Sequence, residues 1–240
     1  MSATEPSTAG DASDAPRILI FDVNETLLDI DSLQPYFEEM FGDAAALRTW
    51  FAELVLYSMT LTLSGYYLDF FALGRATMKM IATARGIHLD DNEIRALEEG
   101  MRTMPAHPDA EPGLRRLHEH GYRLVTLTNS PLHADTPTPL DRAGLSTYVE
   151  RQFTVDALRV FKPATQLYRR AAADVGAQPA ECMMVAAHAW DLIGAHGAGM
   201  RTTLITRPGN AALVADGIPI PDTCAGNIVE LADQLVAAAD

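Results

Sequence analysis

Apolar positions along this chain follow two rhythms. Ile18 to Phe21 is an unbroken apolar run bounded by turn formers and too short for a helix, so it reads as a strand buried on both faces of a parallel sheet. After Asp29 the spacing turns helical for about seventy residues. Residues 34–41 form a short amphipathic helix closed by Gly42, and residues 44–63 a longer one, apolar around most of its circumference. Residues 67–85 follow, stopped by Gly86 as a C′ glycine, and Asp90 with Glu93 predicts a capping box opening a helix through Met101. Pro105 and Pro108 then break the chain.

From Asp109 strands and helices alternate. Helix 112–119 ends at Gly121, strand 122–128 runs into the turn Asn129-Ser130-Pro131, and a helix is expected towards Ala143-Gly144. Strand 152–155 comes next, and Lys162-Pro163 opens helix 164–175. Strand 182–187, helix 190–198 ending at Gly199, strand 202–206 and a last helix capped by Asn227 and Glu230 complete the order. Such alternation implies right-handed crossovers and a parallel sheet. The expected fold is α/β: a doubly wound core of residues 17–31 and 109–240 carrying a helical cap, residues 32–108.

Composition narrows the function. At 240 residues, 48% apolar and 21% charged, the chain can bury a substantial core. Residues 1–16 have neither an apolar core nor a basic start and read as a disordered lead, not a signal peptide. The longest apolar region, 51–63, is interrupted by Glu53 and too short to cross a bilayer. A formal charge of −14 argues against nucleic-acid or anionic-membrane partners, whose phosphates need clustered Lys and Arg. Cys182 and Cys224 lack a metal-binding spacing and read as reduced core thiols of a cytoplasmic protein. The apolar surface over residues 57–63 can pack a homodimer or the cap's own interior.

Chemistry gathers where strands end. Four such ends hold Asp22, with Asn24 and Thr26 in its turn; Thr128-Asn129; Lys162-Pro163; and Ala187-His188-Ala189-Trp190-Asp191. The string Asp22-Val-Asn-Glu-Thr-Leu-Leu28 resembles the first motif of the haloacid dehalogenase superfamily, whose aspartate attacks the substrate and forms a covalent intermediate. The other three ends match the superfamily's motif order over nearly all of residues 17–206.

Physically the set suits a carboxylate nucleophile. Asp22 must be fixed, partly desolvated and kept ionised, and a Lys162 ammonium beside it would do that while drawing in an anionic substrate. Thr26 and Thr128 can orient oxygens, the Asn129 amide can donate to an anion, and Asp191 can hold Lys162 or position water. Asn24 decides the branch. Phosphatases of the superfamily place a second aspartate there to protonate the departing alkoxide, a contribution of about 10²–10⁴-fold that Asn24 cannot make. A halide leaves without a proton. Ala187 also stands where phosphatases often place a magnesium-binding aspartate, although Asp22 and Asp191 alone could still hold hydrated Mg²⁺.

Within the superfamily the chain resembles the type II (S)-2-haloacid dehalogenases. The resemblance implies a hydrolase that needs no cofactor and acts on a small 2-halocarboxylate and water through an ester on Asp22, releasing halide and a 2-hydroxy acid. It carries Thr26, Thr128, Asn129, Lys162, Tyr168 and Asp191 into the site, with backbone groups at Val23 and Asn24 holding the substrate carboxylate. Tyr168 reads almost equally as a core residue. The family's cap arginine falls, by ungapped placement, on Phe51; Arg48 one turn away is the candidate substitute, with a solvated arginine as its plainer reading. Ala186 and His188 stand where a serine and an asparagine are usual, and Glu25 replaces a common glycine with no evident consequence. His188 is expected either to orient the hydrolytic water or contact the leaving group, or simply to pack its loop. The alternatives are a phosphatase of a small metabolite phosphate, with Mg²⁺, and a silent binding member, which would have no need of an attacking carboxylate.

Overall fold

In a computed structural model that describes residues 16–133 and 135–239, six strands form one all-parallel sheet in the order β3-β2-β1-β4-β5-β6. They are β1 (Ile18–Phe21), β2 (Arg123–Thr128), β3 (Arg151–Thr154), β4 (Cys182–Ala186), β5 (Arg201–Ile205) and β6 (Thr223–Ala225). The expected lead lies almost wholly outside the described residues. Every residue of β1 and β4 is buried, as strands covered on both faces must be. The chain adds β2 and β3 on one side of β1, then crosses to build β4, β5 and β6 on the other. The order therefore reverses at the β1–β4 boundary, where open α/β sheets bind ligands. One further ladder bond, from the Asp22 amide to the Val185 carbonyl (3.0 Å), fixes Asp22 beside the end of β4.

Helices α1 (Gln34–Phe41), α2 (Ala46–Leu63), α3 (Phe70–Ala84) and α4 (Asp91–Arg102) all fall between β1 and α5 (Ala110–Glu119). The predicted capping box of α4 forms, with Asp90 accepting from the Asn92 and Glu93 amides and Glu93 returning to the Asp90 amide. Trp50 of α2 donates its indole N–H to the Gly74 carbonyl of α3 (2.9 Å), and the ring of Tyr36 in α1 lies against Gly100 of α4. The two passages between insert and sheet run side by side: the Asp29 amide donates to the Pro105 carbonyl and the His107 amide to the Leu27 carbonyl. On the sheet side, Phe161 stacks on Tyr67 and donates its amide to the Thr62 hydroxyl.

The remaining helices are α6 (Pro139–Arg142), α7 (Thr165–Asp174), α8 (Ala189–Ala198) and α9 (Ile228–Ala239). Three details differ from the sequence expectation. The helix towards Ala143 is a single turn, because Pro137 and Pro139 restrict the chain ahead of it. Strand β6 had no apolar run to announce it, since Thr223 and Cys224 are exposed at the sheet edge, which also makes Cys182 alone the buried thiol expected of both cysteines. At α9, Asn227 accepts from the Glu230 amide as expected, but Glu230 reaches back to Gly226 instead.

One close approach sets the site. Gly194 of α8 lies so near the Lys162-Pro163 loop that a Cβ there would stand 2.5 Å from the Pro163 Cβ and 2.6 Å from its carbonyl oxygen. Gly194→Ala is therefore expected to destabilise the fold by about 1–3 kcal/mol, read as a lower midpoint in urea unfolding, despite alanine's better helix propensity.

Candidate active site

Lys162 is buried at the carboxyl ends of the strands, and its Nζ donates to three oxygens: Asp22 Oδ1 (2.7 Å), Asp191 Oδ2 (2.6 Å) and the Leu127 carbonyl (3.0 Å). All three ammonium protons are thus satisfied, as burial of the charge requires. Burial opposes that charge, but Asp191 and Asp22 outweigh it and raise the Lys162 pKa above the usual lysine value. Burial would likewise push the Asp22 carboxyl up; the Lys162 charge and the His188 hydrogen bond hold it well below the carboxylate range. Asp191, driven upward by its own burial and only partly relieved by Lys162, gives its other oxygen to the Tyr168 hydroxyl. Tyr168 is thereby fixed as neutral donor, its pKa raised first by burial and then by Asp191.

The second oxygen of Asp22 accepts from the Thr26 hydroxyl (2.8 Å), and Thr26 in turn accepts from the Ala187 amide (2.9 Å). Arg207, which the sequence reading missed, secures this turn. Its guanidinium donates to the Thr26 carbonyl (2.8 Å) and clasps both oxygens of Asp109 (2.7 and 2.9 Å). From β2, Thr128 accepts from the Ser130 amide (3.1 Å) and Asn129 Oδ1 from the Lys162 amide (3.1 Å). The Asn24 amide donates to the Ser130 hydroxyl (3.2 Å), while the Val23 carbonyl takes the Leu27 and Leu28 amides. Among the described residues, no group of three or more His, Cys, Asp or Glu side chains is placed to hold a metal ion. The two carboxylates that could share a cation, Asp22 and Asp191, share the Lys162 ammonium.

Towards solvent the arrangement differs most from the sequence expectation. His188 Nδ1 meets Asp22 Oδ2 at 3.2 Å and its Nε2 meets Glu25 Oε2 at 2.7 Å. The imidazole stacks on Trp190 (5.1 Å between centroids) and lies against Phe51 (5.6 Å), so Phe51 faces the site as an apolar wall where a cation was sought. Glu25 pairs through its other oxygen with Arg48, which also donates to Asp31 (2.8 Å). Arg48 is thus not a solvated surface arginine, although its side chain keeps 38% exposure. Glu25, read as inconsequential, is 3% exposed and held at φ +66°, a left-handed conformation that costs a non-glycine residue roughly 1–2 kcal/mol. A glutamate buried under strain next to a histidine marks a purposeful position. A cleft of about 460 Å³ opens here, lined by Glu25, Arg48, Phe51, Met59, His188 and Trp190 among others.

Burial disfavours a charged His188, yet its bonds to Asp22 and Glu25 prevail and its pKa is raised to about 9. This contribution to stability is full below the unfolded histidine value near 6.5 and is lost as pH rises through about 9. Wild type is expected to lose thermal stability across that window; His188→Asn should flatten the loss, read as melting temperature against pH.

Residues 16–199 match the family of haloacid dehalogenase-like hydrolases. The chain is similar to (S)-2-haloacid dehalogenase 4A of Burkholderia cepacia, at 31% identity over 82% of this chain and 86% of that one. It is 28% identical to (S)-2-haloacid dehalogenase 1 of Pseudomonas sp. (strain CBS-3), over 81% and 86%. Among solved structures, the L-2-haloacid dehalogenase RSc1362 superposes with a TM-score of 0.83 at 25% identity, covering 92% of this chain and 99% of that one.

Proposed function

Because the chain belongs to the haloacid dehalogenase-like hydrolases, we propose that it cleaves the carbon–halogen bond of small 2-halocarboxylates, with Asp22 as nucleophile. The observation that supports this most is the pair of hydrogen bonds that Lys162 donates to Asp22 and Asp191. It keeps one oxygen pair ionised, fixed and shielded from water, as a weak nucleophile requires. An Asp22 oxygen attacks the α-carbon, the carbon–halogen bond breaks, and the halide leaves with the electron pair. The ester so formed is opened when water adds to Cγ of Asp22. The alkyl oxygen then departs as 2-hydroxy acid, and one water oxygen stays in the regenerated carboxylate.

Asn24 supports the same reading. Its amide is turned to Ser130, and it offers no proton to a leaving group. Arg48 lines the cleft beside His188, and its guanidinium is the group we assign to the substrate carboxylate, exchanging part of its contact with Glu25 and Asp31. Thr128, Asn129 and the Val23–Asn24 backbone complete the anion's surroundings, while Tyr168 keeps Asp191 on Lys162. The reaction needs no cofactor. Its partners are a small haloacid and water, and no helix among the described residues is long and apolar enough to cross a membrane.

Halide release from chloro-, bromo- and fluoroacetate and from 2-halopropionates, measured beside a phosphate-ester panel with and without EDTA, tests the reading. Halide release indifferent to EDTA is expected; phosphate release abolished by EDTA would overturn it. Asp22→Asn should eliminate turnover, and a single turnover in H₂¹⁸O should leave label in Asp22. Arg48→Ala is expected to raise KM by roughly 10- to 100-fold, the worth of a charged hydrogen bond, with a smaller change in kcat.

A further inference from the structure

The ester intermediate must be opened by water, and the buried carboxylate pair does not supply the base. Asp191 is fully buried, with one oxygen committed to Lys162 and the other to Tyr168. Neither Asp191 nor Lys162 nor Tyr168 lines the cleft, and Asp22 lies behind His188, which lines it together with Glu25. His188 stands between that cleft and Asp22, in contact with the Oδ2 atom of the nucleophile and backed by Glu25. Its plane is fixed by Trp190 and Phe51, so the line Asp22–His188–Glu25 has little freedom to change. Resting on the dehalogenase reading above, we propose that His188 is the general base of the hydrolytic half-reaction, with Glu25 as the positioning residue that orients its ring and stabilises its charge.

The proton balance closes. Before reaction the imidazole faces two anions, Asp22 and Glu25, while Arg48 offsets Glu25 and Lys162 offsets Asp22 and Asp191. Burial opposes the charge on the ring, but its bonds to those two carboxylates prevail and raise its pKa to about 9. Alkylation makes Asp22 a neutral ester, which removes one of the two anions and leaves Nδ1 a weaker, uncharged acceptor. The ring's hold on its proton weakens, and the proton leaves to solvent through the cleft. Neutral His188 then takes a proton from water as the water oxygen bonds to Cγ. It passes that proton to the departing alkoxide of the 2-hydroxy acid. The new Asp22 carboxylic acid returns its own proton to His188, restoring the starting pair. Haloacid and water become hydroxy acid, halide and one proton, with no other reactant.

Glu25 fits the positioning role. Its oxygens divide between His188 and Arg48, and its strained backbone would be relieved by glycine, so its charge is what the position retains. An aspartate or glutamate that steadies the imidazolium formed in a transition state is a recurring device for histidine bases.

Rapid-quench turnover of (S)-2-chloropropionate by wild type, His188→Asn and Glu25→Gln decides the matter. His188→Asn should release one equivalent of chloride per enzyme at near wild-type speed. Later turnover should then fall about 10²-fold or more, and the ester should accumulate on the Asp22 peptide by mass spectrometry. Glu25→Gln should accumulate less ester. By removing an anion beside the ring, it should move the acid limb of kcat to lower pH. Steady turnover by His188→Asn within a few-fold of wild type, or loss of its chloride burst, would overturn the base assignment. An unmoved limb in Glu25→Gln would overturn the pairing, and it decides alone if His188→Asn does not fold. Wild type releasing no halide from any 2-haloacid would instead bring down the dehalogenase reading, a failure that appears before either variant is compared.

Discussion

A single ammonium buried between two carboxylates governs this molecule. Moving an ion of this size out of water carries a penalty of several kcal/mol, and removing one partner of a buried pair leaves an uncompensated charge worth about 3–5 kcal/mol. Lys162 is accordingly held on every side: by Asp22, by Asp191, and by the carbonyl of Leu127. Each partner arrives from a different strand end, so the pair also fixes how β1, β2, β4 and the 162–163 loop meet. The glycine at 194 exists for that loop, since a side chain there would push Pro163, and Lys162 with it, away from the carboxylates.

From this pair acidic and basic side chains alternate out to solvent: Asp191, Lys162, Asp22, His188, Glu25, Arg48 and Asp31. Alternation lets a strongly acidic protein bury three carboxylates in one place, because each is flanked by a cation. It also grades the site by depth. The inner members are closed to water and suit a fixed nucleophile; the outer members border the cleft, where an anionic substrate and a water molecule must enter. Shielding the inner pair while leaving Arg48 partly exposed gives the same structure a rigid end and an adaptable one.

Much of this was legible because strand ends announce themselves. Apolar runs broken by polar turns located β1, β2 and β4, and with them Asp22, Thr128 and His188. The ordered set at those ends then pointed to one family. Strand β6 was silent, because an edge strand with two exposed residues carries no apolar signature. Arg207 was silent for another reason: an ion pair between residues 98 positions apart leaves no local trace. Phe51 and Arg48 were found by counting along a helix, which gives the neighbourhood and not the partner. Glu25 was visible as a substitution, yet its meaning depended on a histidine 163 residues away.

That distance explains why the two departures from the family pattern belong together. Glu25 without His188 would bury a second anion beside Asp22 in a low-dielectric corner, raising the nucleophile's pKa and weakening the ion pair on which the core relies. His188 without Glu25 would place a histidine against Asp22 with its outer nitrogen facing only the cleft. Its ring would then be held by stacking alone, free to settle in either tautomer. Present together, they return the corner to charge balance, define the ring's orientation, and convert a position that elsewhere holds an uncharged amide into one that can gain and lose a proton. A reaction that begins by neutralising Asp22 necessarily changes the electrostatic setting of that proton, so nucleophile and histidine are coupled by the chemistry itself.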